Sequence, residues 1–239
     1  MTQSKPTILW DFDGTLAAMP GHYTAALMDV LNENEPGHCI NPEQIRPYLR
    51  TGFPWHKPEE PHLHLANPDI WWLQLEDLFT RAYQGVGFDA NRAQILAKQL
   101  RKHIIDPRRY LVYADTISVL ENLKTRGWRH VILSNHIPEL PGIVDSLGLS
   151  AYIDFCITSA ISGYEKPHPA AFKNALTLTG NPDAVWMVGD NLIADIQGAE
   201  SMGIPAILVH NPNPGNASNY ARNLQEAVPI IDFRRSRST

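Results

Sequence analysis

At 239 residues the chain can form one large domain or two small ones, and its formal net charge of −5 argues against a dedicated nucleic-acid binder or an anionic-membrane protein. No apolar run reaches the roughly 20 residues that span a bilayer, and residues 1–6 lead so directly into a first strand that no signal peptide is expected. The expectation is a soluble, cytoplasmic protein, monomer or homodimer, whose two cysteines, Cys39 and Cys156, are too few for a disulfide framework.

In chain order, the apolar run Ile8-Leu9-Trp10 predicts a buried strand, followed at once by Asp11-Phe12-Asp13-Gly14-Thr15-Leu16. Residues i and i+2 of an extended segment share a side, so Asp11 and Asp13 can aim at one small volume, and Gly14 lets the chain turn away. Helical and loop patterns then occupy the chain to about residue 109. A helix is predicted from His22, with Tyr23, Leu27, Val30 and Leu31 at helical spacing, and a short one behind Asn41-Pro42. Residues 46–65 read as a Pro-broken loop holding Arg50, Gly52, Trp55, His56 and Lys57. Asn67-Pro68 should start another helix, with an apolar face of Ile70, Leu73, Leu78, Phe79 and Ala82. Its Trp71-Trp72 pair offers a stacking platform, though at least one of the two should pack between helices. A last helix is expected over 91–102.

From Tyr110 onward, helix and strand signals alternate. Asp115 or Thr116 should cap a helix to Lys124, and strands are predicted over 130–133, 153–158, 185–188 and 206–209. Between them fall helices over 138–147, 169–178 and 193–202. Strands separated by such helices imply right-handed crossovers and a parallel, doubly wound sheet. Residues 211–215 read as a loop, 228–232 as an edge strand, and the arginines of 234–237 as a solvated, disordered tail.

Four stretches carry the chemistry: Asp11 to Leu16, then Ser134-Asn135 behind the run 131–133, Lys166-Pro167 in a polar loop, and Gly189-Asp190 with Asp195 behind 185–188. Their order and spacing resemble the haloacid dehalogenase (HAD) superfamily over about two thirds of the chain. The likeness is to its phosphatase-type, phosphoglycolate phosphatase-like members, most of which depend on magnesium. That resemblance implies an α/β fold with a doubly wound, parallel Rossmann-like core over 1–16 and 110–239, and a small α-helical cap domain inserted over 17–109.

It also implies roles. Asp11 would be the nucleophile, forming an aspartyl-phosphate, and Asp13 the acid and base for the leaving oxygen and the water. Ser134, the Asn135 amide and Thr15 with the turn amides would hold phosphoryl oxygens, Thr15 serving equally well in plain turn chemistry. Lys166 would neutralise charge around the phosphoryl group. Asp190, Asp11 and the backbone carbonyl of Asp13 would hold Mg2+. Asp195 is better placed to orient Lys166 or a metal-bound water. His136, where a small residue is often found, either reaches the substrate or caps a helix.

Asp13 argues against dehalogenation, because a halide leaves without protonation. A sugar-phosphate mutase and a non-catalytic scaffold on the same fold are the alternatives, and phosphonate hydrolysis would need a cap lysine such as Lys57. The expected substrate is a small phosphomonoester, chosen by cap-loop groups. Arg50 would meet a second anion, with His56 and Lys57 nearby, and Trp55 would either stack on a sugar or base or anchor the loop. Whether His22 reaches the substrate is left open.

Overall fold

The computed structural model describes residues 5–212 and 215–235, with side chains as far as 232. In chain order, strand β1 (Thr7–Trp10) is followed by β2 (Ala17–Ala18) and helices α1 (His22–Asn34), α2 (Pro42–Ile45), α3 (Pro68–Gly85), α4 (Ala90–Ala97) and α5 (Leu100–Ile104). Then come β3 (Leu111–Val112), α6 (Thr116–Thr125), β4 (Arg129–Ser134), α7 (Leu140–Ser146), β5 (Phe155–Thr158), α8 (Ser159–Ser162) and α9 (Pro169–Leu178). The chain ends with β6 (Val185–Gly189), a wide π-type turn Leu192–Gln197, α10 (Gly198–Ser201), β7 (Ala206–Val209), β8 (Tyr220–Ala221) and α11 (Leu224–Arg235).

Six strands form one parallel sheet in the order β5-β4-β1-β6-β7-β8. The chain builds outward from β1 through β4 to β5, then crosses back to lay β6 on the other flank of β1. The carboxyl ends of β1, β4 and β6 therefore meet at the point where the winding reverses, the place where open α/β sheets bind ligands. Both faces are covered, which is why these strands read as continuous apolar runs. Ile8, Trp10, Ile132 and Val188 face α6, α7, α11 and the inserted helices, whereas Leu9, Val131, Leu133 and Met187 face α9 and α10. The structure thus has the doubly wound parallel α/β architecture expected.

Helices α1 to α5 lie between β2 and β3, which pair with each other antiparallel, Ala17 opposite Val112 and Ala18 opposite Leu111. Trp72 Nε1 on α3 donates to Glu139 Oε1 at 2.9 Å beside α7, and Arg101 Nη2 on α5 reaches the same carboxylate at 2.7 Å.

Several local expectations are corrected. Residues 228–232 belong to α11, where Val228 and Ile231 pack as one helical face, and the sheet edge is β8. Arg234 and Arg235 close that helix, while Ser236 and Arg237 lie outside the described residues. On α3 the buried side is Trp71, Trp72, Leu75, Leu78, Phe79, Ala82 and Tyr83, with Ile70 and Leu73 turned outward. The helix predicted over 91–102 is two helices, α4 and α5, and the one over 193–202 divides into the π-type turn and α10. Asp115 makes no side-chain cap to α6; its Oδ2 accepts from Gln225 N at 3.0 Å. Residues 46–65 contain three single 3₁₀ turns. Asn41 and Asn67 cap α2 and α3 as expected.

Candidate active site

The site grows from β1. Asp11 N still donates to Val188 O of β6 at 2.9 Å, so the first carboxylate leaves the sheet at a fixed place. Beyond it the chain folds over the buried Phe12, whose carbonyl accepts from Leu16 N at 2.9 Å. Gly14 takes φ 81° there, and a Cβ would stand 2.3 Å from Asp190 Oδ2, so both the turn and the close approach of the β6 loop require glycine.

From the neighbouring strand end, the Ser134 hydroxyl donates to Asp11 Oδ1 at 2.8 Å. Lys166 comes from the loop before α9 and is 2% exposed. Its Nζ donates to Asp11 Oδ1 at 2.8 Å and to Asp195 Oδ1 at 2.6 Å. The Asn135 side chain fixes that loop from both sides, donating to Lys166 O at 2.8 Å and accepting from Lys166 N at 2.7 Å. Burial pulls the lysine's pKa down, but the charges of Asp11 and Asp195 outweigh it, so the ammonium holds its proton more firmly than an ordinary lysine.

Asp195 is turned inward by the π-type turn, a local widening of the helix that recurs at functional sites. Its Oδ2 accepts from Asn191 N at 2.9 Å, so both carboxylate oxygens already have partners within the protein. Gly189 leaves room for it, since a Cβ there would lie 2.2 Å from Asp195 Oδ2. Asp190 differs: among the described residues no cation pairs with it. Burial first, and then the Asp11 and Asp195 charges, push its carboxyl up to about 7. Oxygens of Asp11, Asp190 and Asp195 lie within 4.8 Å of one another. Excess negative charge on hard oxygen donors suits a divalent cation such as Mg2+.

These groups open into a cavity of about 760 Å³. Asp11, Asp13, Ser134, Asn135, Lys166, Asp190 and Asp195 line its base, and the inserted helices supply the opposite wall with His22, Tyr23, Arg46, Arg50, Phe53, Trp55 and His56. Arg50 is exposed, and Trp55 is half-buried with its ring stacked on Phe53 at 4.5 Å and 10°. Burial lowers the His56 pKa. Lys57 does not line the cavity; its ammonium pairs with Glu60 at 3.1 Å. Thr15 is fully buried beneath the turn, outside the cavity lining.

Two features had no role at the site assigned from the sequence, and a third, His136, had two alternatives, reaching the substrate or capping a helix. Tyr23 and Phe53, apolar by pattern alone, form an aromatic wall, their centroids 4.7 Å apart. His136 folds back onto Asp13, its Nε2 3.3 Å from Oδ2. Glu165, beside Lys166, is buried and raised by that burial to about 7. His136 was singled out in the sequence as the residue after Ser134-Asn135, whereas only adjacency to Lys166 could have marked Glu165.

A doubly wound parallel sheet whose central strand ends in a carboxylate, held by a serine and a lysine and followed by a second carboxylate, makes this an α/β protein with an aspartate-centred site. The chain belongs to the haloacid dehalogenase-like hydrolase family, which it matches over residues 5–203. It is 35% identical over 144 residues to the human haloacid dehalogenase-like hydrolase domain-containing protein 3, a match covering 59% of this chain and 56% of that one. A phosphoserine phosphatase from Thermus thermophilus is 31% identical over 136 residues, 56% of this chain and 53% of that enzyme. The chain thus aligns with little more than half the length of either relative. A 2-haloacid dehalogenase from Pseudomonas syringae superposes with a TM-score of 0.68 at 24% identity, covering 97% of this chain and 99% of that structure, a likeness of fold. No helix among the described residues is long and apolar enough to cross a membrane.

Proposed function

We propose that this hydrolase is a phosphatase that cleaves a small phosphomonoester through an aspartyl-phosphate on Asp11. The observation that carries the reading is the Asp11 carboxylate itself, buried at a strand end and held on Oδ1 by both Ser134 and Lys166. Such a group is aimed, with an ammonium beside it to balance its charge, as a nucleophile requires. Relatedness to a phosphoserine phosphatase supports phosphoryl rather than halide chemistry, as does Asp13, which a departing halide would not need.

In the first half-reaction an Asp11 oxygen bonds to phosphorus while the ester P–O bond breaks, and protonated Asp13 gives its proton to the departing alkoxide. In the second, water attacks the same phosphorus, Asp13 takes the water's proton, and the Asp11–phosphorus bond breaks to release inorganic phosphate. Lys166 and Ser134 balance the charge gathering on the phosphoryl oxygens, helped by the Asn135 amide, and Asp195 holds Lys166 in place. The unpaired charge of Asp190 fits a divalent ion. Asp11, Asp190 and the Asp13 backbone carbonyl would hold Mg2+, which when bound would supply positive charge against the phosphoryl group.

We assign residues 17–109 to a cap domain over a core of 1–16 and 110–239, with Arg50 and Trp55 facing the leaving alcohol. Asp11→Asn tests the reading: the amide is nearly isosteric but a far poorer nucleophile. With magnesium present, turnover of 4-nitrophenyl phosphate should fall by about 10³-fold or more while the protein stays folded. Near wild-type turnover would overturn the covalent mechanism.

A further inference from the structure

We propose that His136 is a positioning residue for Asp13, setting the direction of the carboxylate oxygen that passes a proton to the leaving alcohol. The inference rests on the phosphatase reading above. Asp13 stands on a loop, and its side chain keeps 29% of its exposure, so nothing in β1 itself fixes the carboxylate's rotation. His136 supplies the missing restraint. Its ring is 5% exposed, and Nε2 lies 3.3 Å from Asp13 Oδ2. Oδ1, the other oxygen, is buried and makes no hydrogen bond within the protein. The exposed part of the carboxylate is therefore on the Oδ2 side, which His136 meets. His136 thus sets the direction of the oxygen open to the leaving alcohol.

The imidazole is itself held on several sides. His136 N donates to Ser159 Oγ at 3.1 Å, the ring meets Phe12 edge-on at 5.6 Å, and Tyr110 lies tilted against it at 6.2 Å. Phe12 is the residue between the two carboxylates, so the turn that presents Asp13 also seats the histidine.

Acid assistance matters in proportion to how poorly the alcohol leaves, which separates a positioning role from simple packing. The quantity to compare is kcat/KM, because it reports transfer up to departure of the alcohol, the step in which Asp13 gives its proton. In His136→Ala, kcat/KM for a simple alkyl phosphate should fall about 30-fold, part of the 10² to 10⁴-fold that positioned acid–base groups contribute. For 4-nitrophenyl phosphate, whose phenolate leaves without help, the loss should stay under about threefold. His136→Gln, which keeps an N–H donor and guards against a folding defect in the alanine variant, should recover most of the alkyl phosphate activity. Equal losses on both substrates, or no loss on the alkyl ester, would overturn the proposal. A wild-type protein inactive on both esters would instead overturn the phosphatase reading beneath it.

Discussion

Two buried ionisable residues, Glu165 beside Lys166 and His130 near the far end of β4 from the site, make opposite demands on pH. Glu165 is 1% exposed, and burial raises its carboxyl from the ordinary 4.5 to about 7, against the opposing pull of the Ser159 hydrogen bond and the Lys166 charge. Between those values the folded protein binds a proton that the unfolded chain releases, so Glu165 makes stability fall as pH rises. His130 works the other way. Burial lowers it from 6.5 to about 4, and its Nδ1 accepts from Trp10 Nε1 at 2.9 Å, so here the unfolded chain binds the extra proton and stability rises with pH. The stability difference between wild type and Glu165→Gln isolates the first effect. Followed by urea denaturation, it should move against the wild type by up to roughly 3 kcal/mol between pH 4.5 and 7. A difference independent of pH would mean that Glu165 titrates alike in the folded and unfolded protein.

The loop of residues 46–65 is organised by aromatic packing. Trp55 lies on Phe53, Phe53 meets Tyr23 of α1 at 4.7 Å, and Tyr23 reaches Phe79 of α3 at 6.1 Å. Trp55 therefore ties the loop to the inserted helices, whereas Arg50 stands exposed at the cavity wall. Substituting each by alanine should separate the two parts. Trp55→Ala should cost about 1–3 kcal/mol in denaturant unfolding, less than a fully buried aromatic because the ring is only half-buried. Arg50→Ala should change stability by no more than about 0.5 kcal/mol. It should lower kcat/KM several-fold for a phosphomonoester bearing a second anionic group, and leave 4-nitrophenyl phosphate unaffected. Equal effects of Arg50→Ala on both substrates would remove it from substrate choice.

For the molecule as a whole, the sheet gathers three carboxylates from β1 and the loop after β6 around a single lysine. That crowding opposes folding, and a bound cation would relieve it. Magnesium at about 100 times its dissociation constant should add about 2.7 kcal/mol of stability, a rise in Tm of roughly 5–10 °C for a chain of this length. Asp190→Asn should raise the metal-free Tm, by removing like-charge repulsion, and abolish most of the magnesium increment. Scanning calorimetry with and without chelator measures both. A wild-type Tm indifferent to magnesium would remove the metal site.

The sequence by itself determined the parallel core and the roster of charged groups at its strand ends. Strands buried on both faces must be continuous apolar runs, and β7 and α9 were readable at their boundaries, 206–209 and 169–178, because Pro and polar residues bracket them. Where one local pattern served two structures, tertiary contacts decided. The β-branched run Val228, Ile230 and Ile231 suits a strand, but packing beside Val119, Leu120 and Leu123 of α6 makes it a helix despite Pro229. On α3 the tryptophans rather than Ile70 and Leu73 turn inward, because Glu139 of the core receives the Trp72 indole. The β2–β3 pairing joins residues nearly a hundred positions apart, and only two residues long, it leaves no periodic trace. The same holds within the site: Lys166 meets Asp11 across 155 positions, and His136 meets Asp13 only because β4 and β1 lie side by side. Residue type announces that a group can do chemistry; the folded sheet alone decides which groups stand in contact, because their separation belongs to the packing of strands distant in the chain.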